Sequence, residues 1–204
     1  MTKKRRMMTG IDEVGRGALA GPVLVAALTL PRGINLKIGN LAKLRDSKHL
    51  SAKQRKEWLE FVDANPEISY AVSRVSPHVI DRRNIRRAAD LAATRAYKKL
   101  AENSGSQSLN RVYLDGGLYI HVDPVDYPRL SASTIIRGDE KINVIKLASI
   151  VAKVKRDNYM VKLHKKHPKY GFDEHKGYGT KKHKRAIGRH GLTDFHRKSF
   201  CKFV

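Results

Sequence analysis

The stretch Met8-Thr9-Gly10-Ile11-Asp12-Glu13-Val14-Gly15-Arg16-Gly17-Ala18-Leu19-Ala20-Gly21-Pro22-Val23-Leu24-Val25-Ala26-Ala27-Leu28-Thr29-Leu30 decides how the chain is read. Residues 8–13 and 23–30 read as strands, and Gly15, Gly17, Gly21 and Pro22 punctuate the turn between them. Two acids, Asp12 and Glu13, stand where the first strand ends. Neighbours on a regular strand point to opposite faces, so both can serve one site only at a strand end or a distortion. Gly15 and Gly17 supply that freedom.

Working outward, Ser51 with Gln54 three residues on forms a capping box, which predicts a helix from 51 to about 62, stopped by Asn65-Pro66. Alternation of Ile68, Tyr70 and Val72 with Ser69, Ala71 and Ser73 predicts a strand over 68–75. Ser76-Pro77 opens a short helix. Ile85, Ala88, Ala89, Ala92, Ala96 and Leu100 then follow helical spacing on one face. Residues 102–110 read as a surface loop. Short apolar strands at 111–114 and 134–136 each run into a carboxylate, Asp115 and Asp139. A helix follows from 143 to about 163, apolar nearly all round in its first half. The order predicts an α/β fold: a mixed β-sheet of about five strands with helices on its faces, over residues 1–163, followed by a basic helical extension over 164–204.

The chain has 204 residues, with 42 Lys+Arg against 19 Asp+Glu, a formal net charge of +23. That length suits one domain with a full core. The 41% apolar content is too rich for disorder, so the charge sits on a folded protein. Such a surface excludes cationic ligands and favours a polyanion, of which nucleic acid is the commonest. Residues 146–202 carry 17 Lys+Arg and 4 Asp+Glu, so more than half of the net charge lies there. The longest mostly apolar stretch, 18–30, contains Gly21 and Pro22 and is too short to span a bilayer. Lys3-Lys4-Arg5-Arg6 is followed by Asp12 and Glu13 rather than an apolar run, so no signal peptide is read. Cys201 is the only cysteine, which excludes an internal disulfide and suits a reducing cytoplasm. With no coiled-coil repeat, a monomer is expected.

In so basic a chain the acids need separate accounting. Asp12, Glu13, Asp115 and Asp139 lie at strand ends or just beyond, where sheets flanked by helices gather ligand sites. Carboxylates brought together repel unless cations neutralise them, and hard divalent ions such as Mg²⁺ prefer oxygen ligands. Two such ions about 3.5–4 Å apart stabilise both the attacking and the leaving oxygen of phosphoryl transfer. An acidic cluster in a basic surface therefore suits a nuclease. Spacing alone leaves open that these are ordinary turn acids, and that the protein is a non-catalytic nucleic-acid binder.

The run Gly10-Ile11-Asp12-Glu13-Val14-Gly15-Arg16-Gly17, continuing to Val23, resembles the opening signature of ribonuclease HII. Asp46-Ser47-Lys48-His49-Leu50-Ser51, Asp115-Gly116, and Gly138-Asp139 followed by Ala148-Ser149-Ile150-Val151-Ala152-Lys153-Val154 and Arg156-Asp157 resemble further blocks of that family. So do His175-Lys176-Gly177-Tyr178-Gly179-Thr180, His183, and His196-Arg197-Lys198-Ser199-Phe200. Gly117 stands where the family usually has Asn, and Lys146-Leu147 replace its usual small residues.

The resemblance implies a ribonuclease H fold and cleavage of RNA paired with DNA, including nicking 5′ of single ribonucleotides embedded in duplex DNA. Its motif positions make Asp12, Glu13, Asp115 and Asp139 the catalytic, metal-binding acids for Mg²⁺ or Mn²⁺, two ions acting during catalysis. Gly15-Arg16-Gly17 is implied as the sensor of the 2′-hydroxyl, which both donates and accepts. Tyr178 is implied to stack on the sugar beside the ribonucleotide. Without the motif it reads as a core tyrosine. Ser47, Lys48, Lys153 and Arg197 are candidates for gripping phosphate. Asp157 reads as structural, pairing with Arg156 or another base. The histidines of 164–196 lack zinc-motif spacing and read as surface or duplex contacts, with His183 and His196 structural.

Overall fold

A computed structural model describes residues 6–37, 39, 41–104, 109 and 111–203. Lys3, Lys4 and Arg5 of the N-terminal basic run, and much of the loop expected over 102–110, lie outside the described residues.

The sequence's decisive stretch folds as expected into two strands, β1 (Met7–Val14) and β2 (Val23–Pro31), paired antiparallel from Met7↔Pro31 to Val14↔Leu24. β2 is buried along its whole length, which explains its unbroken apolar run. Its side chains alternate between two cores. Val23, Val25 and Ala27 enter one face, and Leu24, Ala26, Leu28 and Leu30 the other. β3 (Ser69–Val75) pairs antiparallel with the outer edge of β2. On the other side β4 (Arg111–Asp115) runs parallel to β1, and β5 (Ser131–Ile135) parallel to β4. The mixed sheet has the order β3-β2-β1-β4-β5.

Helices cover both faces. α1 (Ala52–Ala64) starts at the Ser51–Gln54 capping box read from the sequence, and α2 (Pro77–Arg83) has its proline at the first turn. α3 (Ile85–Ser104) lays Ala88, Ala89, Ala92, Ala93 and Ala96 on the first core, and it takes in residues 102–104, which the composition placed in a loop. A short helix, α4 (Gly138–Lys141), leads into α5 (Asn143–Lys166), which covers the second core. Its approach is close: a Cβ on Gly10 of β1 would lie 2.5 Å from the Val144 carbonyl carbon.

α5 runs through residue 163, the expected end of the core. Beyond it come α6 (Phe172–His175) and α7 (Lys181–His190). They build a third apolar cluster in which Tyr170, Phe172, Ile187 and Cys201 pack against Met160, Leu163, Leu19 and Ala20. Among the described residues no helix is long and apolar enough to cross a membrane.

Candidate active site

Pairing explains how Asp12 and Glu13 come to one place. β1 stays in register with β2 through Val14, but its ladder with β4 covers only Thr9–Ile11. The two acids therefore stand where β1 has lost its parallel neighbour, facing the end of β4, where Asp115 sits. A strand end, with no break in the β2 pairing, resolves the geometric conflict. One oxygen each from Asp12, Glu13 and Asp115 lies within 4.8 Å of the others. Asp115 Oδ1 also accepts from the N–H groups of Gly138 (2.8 Å) and Asp139 (3.3 Å), which ties α4 to the end of β4. Asp139 lines the same cleft outside this tight triad, its Oδ2 3.2 Å from Lys48 Nζ.

The electrostatics are those of a site built for cations. Burial, and then the charges of Glu13 and Asp115, push the Asp12 carboxyl well above its usual range, against a hydrogen bond from Ser149. Burial also raises Glu13, although Arg16 opposes it from 2.9 Å. Asp115 is raised by burial and by Asp139. Burial lowers Lys48, but the neighbouring charges of Asp46 and Asp139 outweigh it and raise the ammonium overall. Glu13 Oε2 is buried with no hydrogen-bond partner among the described residues. An all-oxygen donor set with an orphaned carboxylate oxygen fits a hard divalent ion.

The acids floor a cleft of about 410 Å³ that gathers every predicted site residue except Arg197. Gly15, with φ of 89°, turns the chain out of β1, and a Cβ there would strike Arg156 Nε at 2.2 Å. Gly117 also has positive φ, 88°, a conformation that glycine adopts without strain. Tyr178 is half-buried on the cleft wall and forms an isolated bridge with Ala18. Ser47 is buried, its hydroxyl 2.8 Å from that of Ser149. Lys153 bonds Asp157 at 2.9 Å, so Asp157 pairs with Lys153 and with Arg55 (3.9 Å) rather than with Arg156.

Arg197, expected on phosphate, is fully buried and lies outside the cleft. Its guanidinium donates to the carbonyls of Gly15 and Arg16 (both 2.7 Å) and twice to Gly21 (2.9 and 3.0 Å). His183 and His196, read as structural, are buried as that reading requires. Sequence reasoning missed Ser149 as a cleft residue and Arg156 as a buried support, bonded to the carbonyls of Pro22, Ala20 and Lys176. The signal for Arg156 was present: it shares the buried stripe of α5 with Ala152, Met160 and Leu163.

Solved structures share the fold. The ribonuclease H2 of Pyrococcus horikoshii OT3 superposes with a TM-score of 0.70 at 23% identity, covering 95% of this chain and 93% of that one. Bst-RNase HIII in complex with Mn²⁺ superposes with a TM-score of 0.69 at 21% identity, over 97% of this chain and 68% of that one. The shared fold is ribonuclease H-like. The model of the Ribonuclease HII family matches residues 9–203. The ribonuclease HII of Coxiella burnetii is 43% identical over 199 residues, 98% of this chain and 90% of that protein. The chain belongs to the ribonuclease HII family, whose members are metal-dependent endoribonucleases acting on RNA–DNA hybrids.

Proposed function

We propose that this enzyme both cleaves the RNA strand of RNA–DNA hybrids and nicks duplex DNA on the 5′ side of a single embedded ribonucleotide, acting as a monomer. The observation that carries the reading is the shared cleft. The carboxylates, the Gly15-Arg16-Gly17 turn and Tyr178 face the same space, so a phosphate over the acids has its neighbouring sugar within reach of the turn and the ring. Asp12, Glu13, Asp115 and Asp139 would hold the metal, Mg²⁺ or Mn²⁺. Two such ions, when bound, supply the charge that activates water and steadies the phosphorane-like transition state.

The chain's own groups do the rest. Gly15, Arg16 and Gly17 present backbone polar groups to the ribose; the absent Cβ of Gly15 makes room for Arg156 behind the turn, and that of Gly17 leaves open space for the sugar. Tyr178 stacks on the adjacent sugar and fixes the junction. Lys48 and Lys153 place positive charge beside the scissile phosphate. Water attacks phosphorus in line and the 3′ oxygen leaves, giving 3′-hydroxyl and 5′-phosphate ends. No protein nucleophile is required. Residues 164–204 lie along the duplex and supply sequence-independent phosphate contacts.

The test is a duplex DNA carrying one ribonucleotide, incubated with Mg²⁺ or with Mn²⁺. A single nick 5′ of the ribonucleotide is expected, and no nick under either metal overturns the reading. Asp12→Asn should lower kcat at least a thousandfold with duplex affinity largely kept. Tyr178→Ala should reduce cutting at an isolated ribonucleotide more than cutting within a long hybrid.

A further inference from the structure

Two arginines, Arg156 and Arg197, are fully buried behind the turn that follows β1, and no carboxylate lies within ion-pair distance of either among the described residues. A buried charge of this kind is costly unless hydrogen bonds satisfy it. Carbonyl oxygens do so here, and Phe200 lies under the Arg197 guanidinium at 5.3 Å. The choice of carbonyls matters. Arg197 Nη2 and Nη1 take those of Gly15 and Arg16. No peptide bond in the described chain is cis, so each C=O points opposite to the N–H of the same peptide unit. The carbonyl of Gly15 shares its peptide with the N–H of Arg16, and that of Arg16 with the N–H of Gly17. Arg197 thus turns both N–H groups away from itself. Neither donates to an acceptor among the described residues, and both residues line the cleft. A cation on the carbonyl end of a peptide also polarises it, which strengthens the N–H as a donor.

We propose that Arg197 is a positioning residue for ribonucleotide recognition, holding the Arg16 and Gly17 N–H groups as a paired, polarised receptor for the ribose 2′ oxygen. The inference rests on the reading of residues 15–17 as the 2′-hydroxyl sensor and deepens it. Lysine keeps the charge but has no fork to span Gly15, Arg16 and Gly21.

The experiment measures KM and kcat on a duplex with one ribonucleotide, and Ki of the matching all-DNA duplex as a competitor, with Mg²⁺ present. Arg197→Lys is compared with Phe172→Leu, which loosens the same C-terminal cluster without touching the turn. Arg197→Lys is expected to raise KM at least tenfold while Ki changes less than twofold. Phe172→Leu should leave the Ki/KM ratio as in the wild type. An unchanged ratio in Arg197→Lys overturns the proposal. Equal KM and Ki in the wild type instead overturns the underlying sensor reading. If Arg197→Lys does not fold, NMR of the wild type decides. The Arg197 guanidinium protons should resist exchange, and the Arg16 and Gly17 amides should shift with the ribonucleotide duplex far more than with all-DNA. Failure of either result refutes the proposal.

Discussion

At the scale of single residues, the site is a place where stability and activity oppose each other. Asp12, Glu13 and Asp115 all have raised pKa values, chiefly through burial. An acid raised in the folded state contributes stability below its unfolded pKa, and that contribution is lost as pH rises through the folded value. At neutral pH in a chelator, the triad therefore destabilises the fold. Asp12→Asn should stabilise the metal-free protein at pH 7 by about 1–2 kcal/mol, or roughly 2–4 °C per kcal/mol in Tm. Added Mg²⁺ should reverse that order, because only the wild type gains by binding. Thermal melts of both proteins, with chelator and with Mg²⁺, check it, and a variant less stable than wild type in chelator would contradict it. Strand ends marked the acids in the sequence, but spacing alone left them open as turn acids, and the motif resemblance singled them out; the glycines of the turn read more directly, since φ near 89° at Gly15 excludes most side chains. Arg197 was misread for the opposite reason. Arginine in a chain of +23 looks like surface, and only the structure shows carbonyls around its guanidinium.

At the scale of elements, alternation gave β3 and helical spacing gave α3 to within a few residues, and the unbroken apolar run gave β2, which is buried along its whole length. β5 was read as 134–136, but its strand is Ser131–Ile135, and its polar, exposed residues carry no alternation to read. The contact between β1 and α5 yields a sharp expectation. Gly10→Ala places a Cβ against the Val144 and Ile145 backbone at 2.5–2.7 Å, where no side chain can give way. A loss of about 3 kcal/mol, at the upper end for overpacking, is expected in denaturant melts. The C-terminal elements hold a second titrating feature. Thr193 N–H donates to His196 Nδ1, so the proton of neutral His196 is on Nε2. That proton faces His183 Nε2 at 3.1 Å, while His183 Nδ1 donates to the Tyr178 carbonyl at 3.0 Å. Burial lowers both imidazoles to about 4. Unfolded histidine binds its proton near pH 6.5, so stability should fall as pH drops from about 6.5 towards 4, by up to about 1.4 kcal/mol per unit for each ring. Melts across that range should show the slope, and His196→Gln should flatten it by about half. An equal slope in the variant would assign the effect elsewhere.

At the scale of the whole molecule, the net charge of +23 becomes a division of labour. Four of the scarce acids gather at the strand ends that floor the cleft, and bases dominate the segment after α5. On α7 the residues Lys182, Arg185 and Arg189 share one stripe and, with Lys169 and His190, surround a hollow of about 340 Å³. Only Lys182 among them is paired with an acid, Glu174, among the described residues. If this hollow tracks the duplex backbone, its contribution is counterion release, which appears as a salt slope rather than as a rate. Each phosphate contact contributes about −0.9 to the slope of log affinity against log salt on B-form DNA. Neutralising Lys169, Arg185 and Arg189 together, each to Gln, should make the slope of log KM shallower by up to about 3. It should leave kcat within twofold, since none of the three lines the cleft. The same loss should appear on all-DNA competitor duplex, because phosphate contacts are blind to the sugar. A slope equal to that of the wild type would take the duplex off this face of α7 and confine its path to the cleft and the elements around Tyr178.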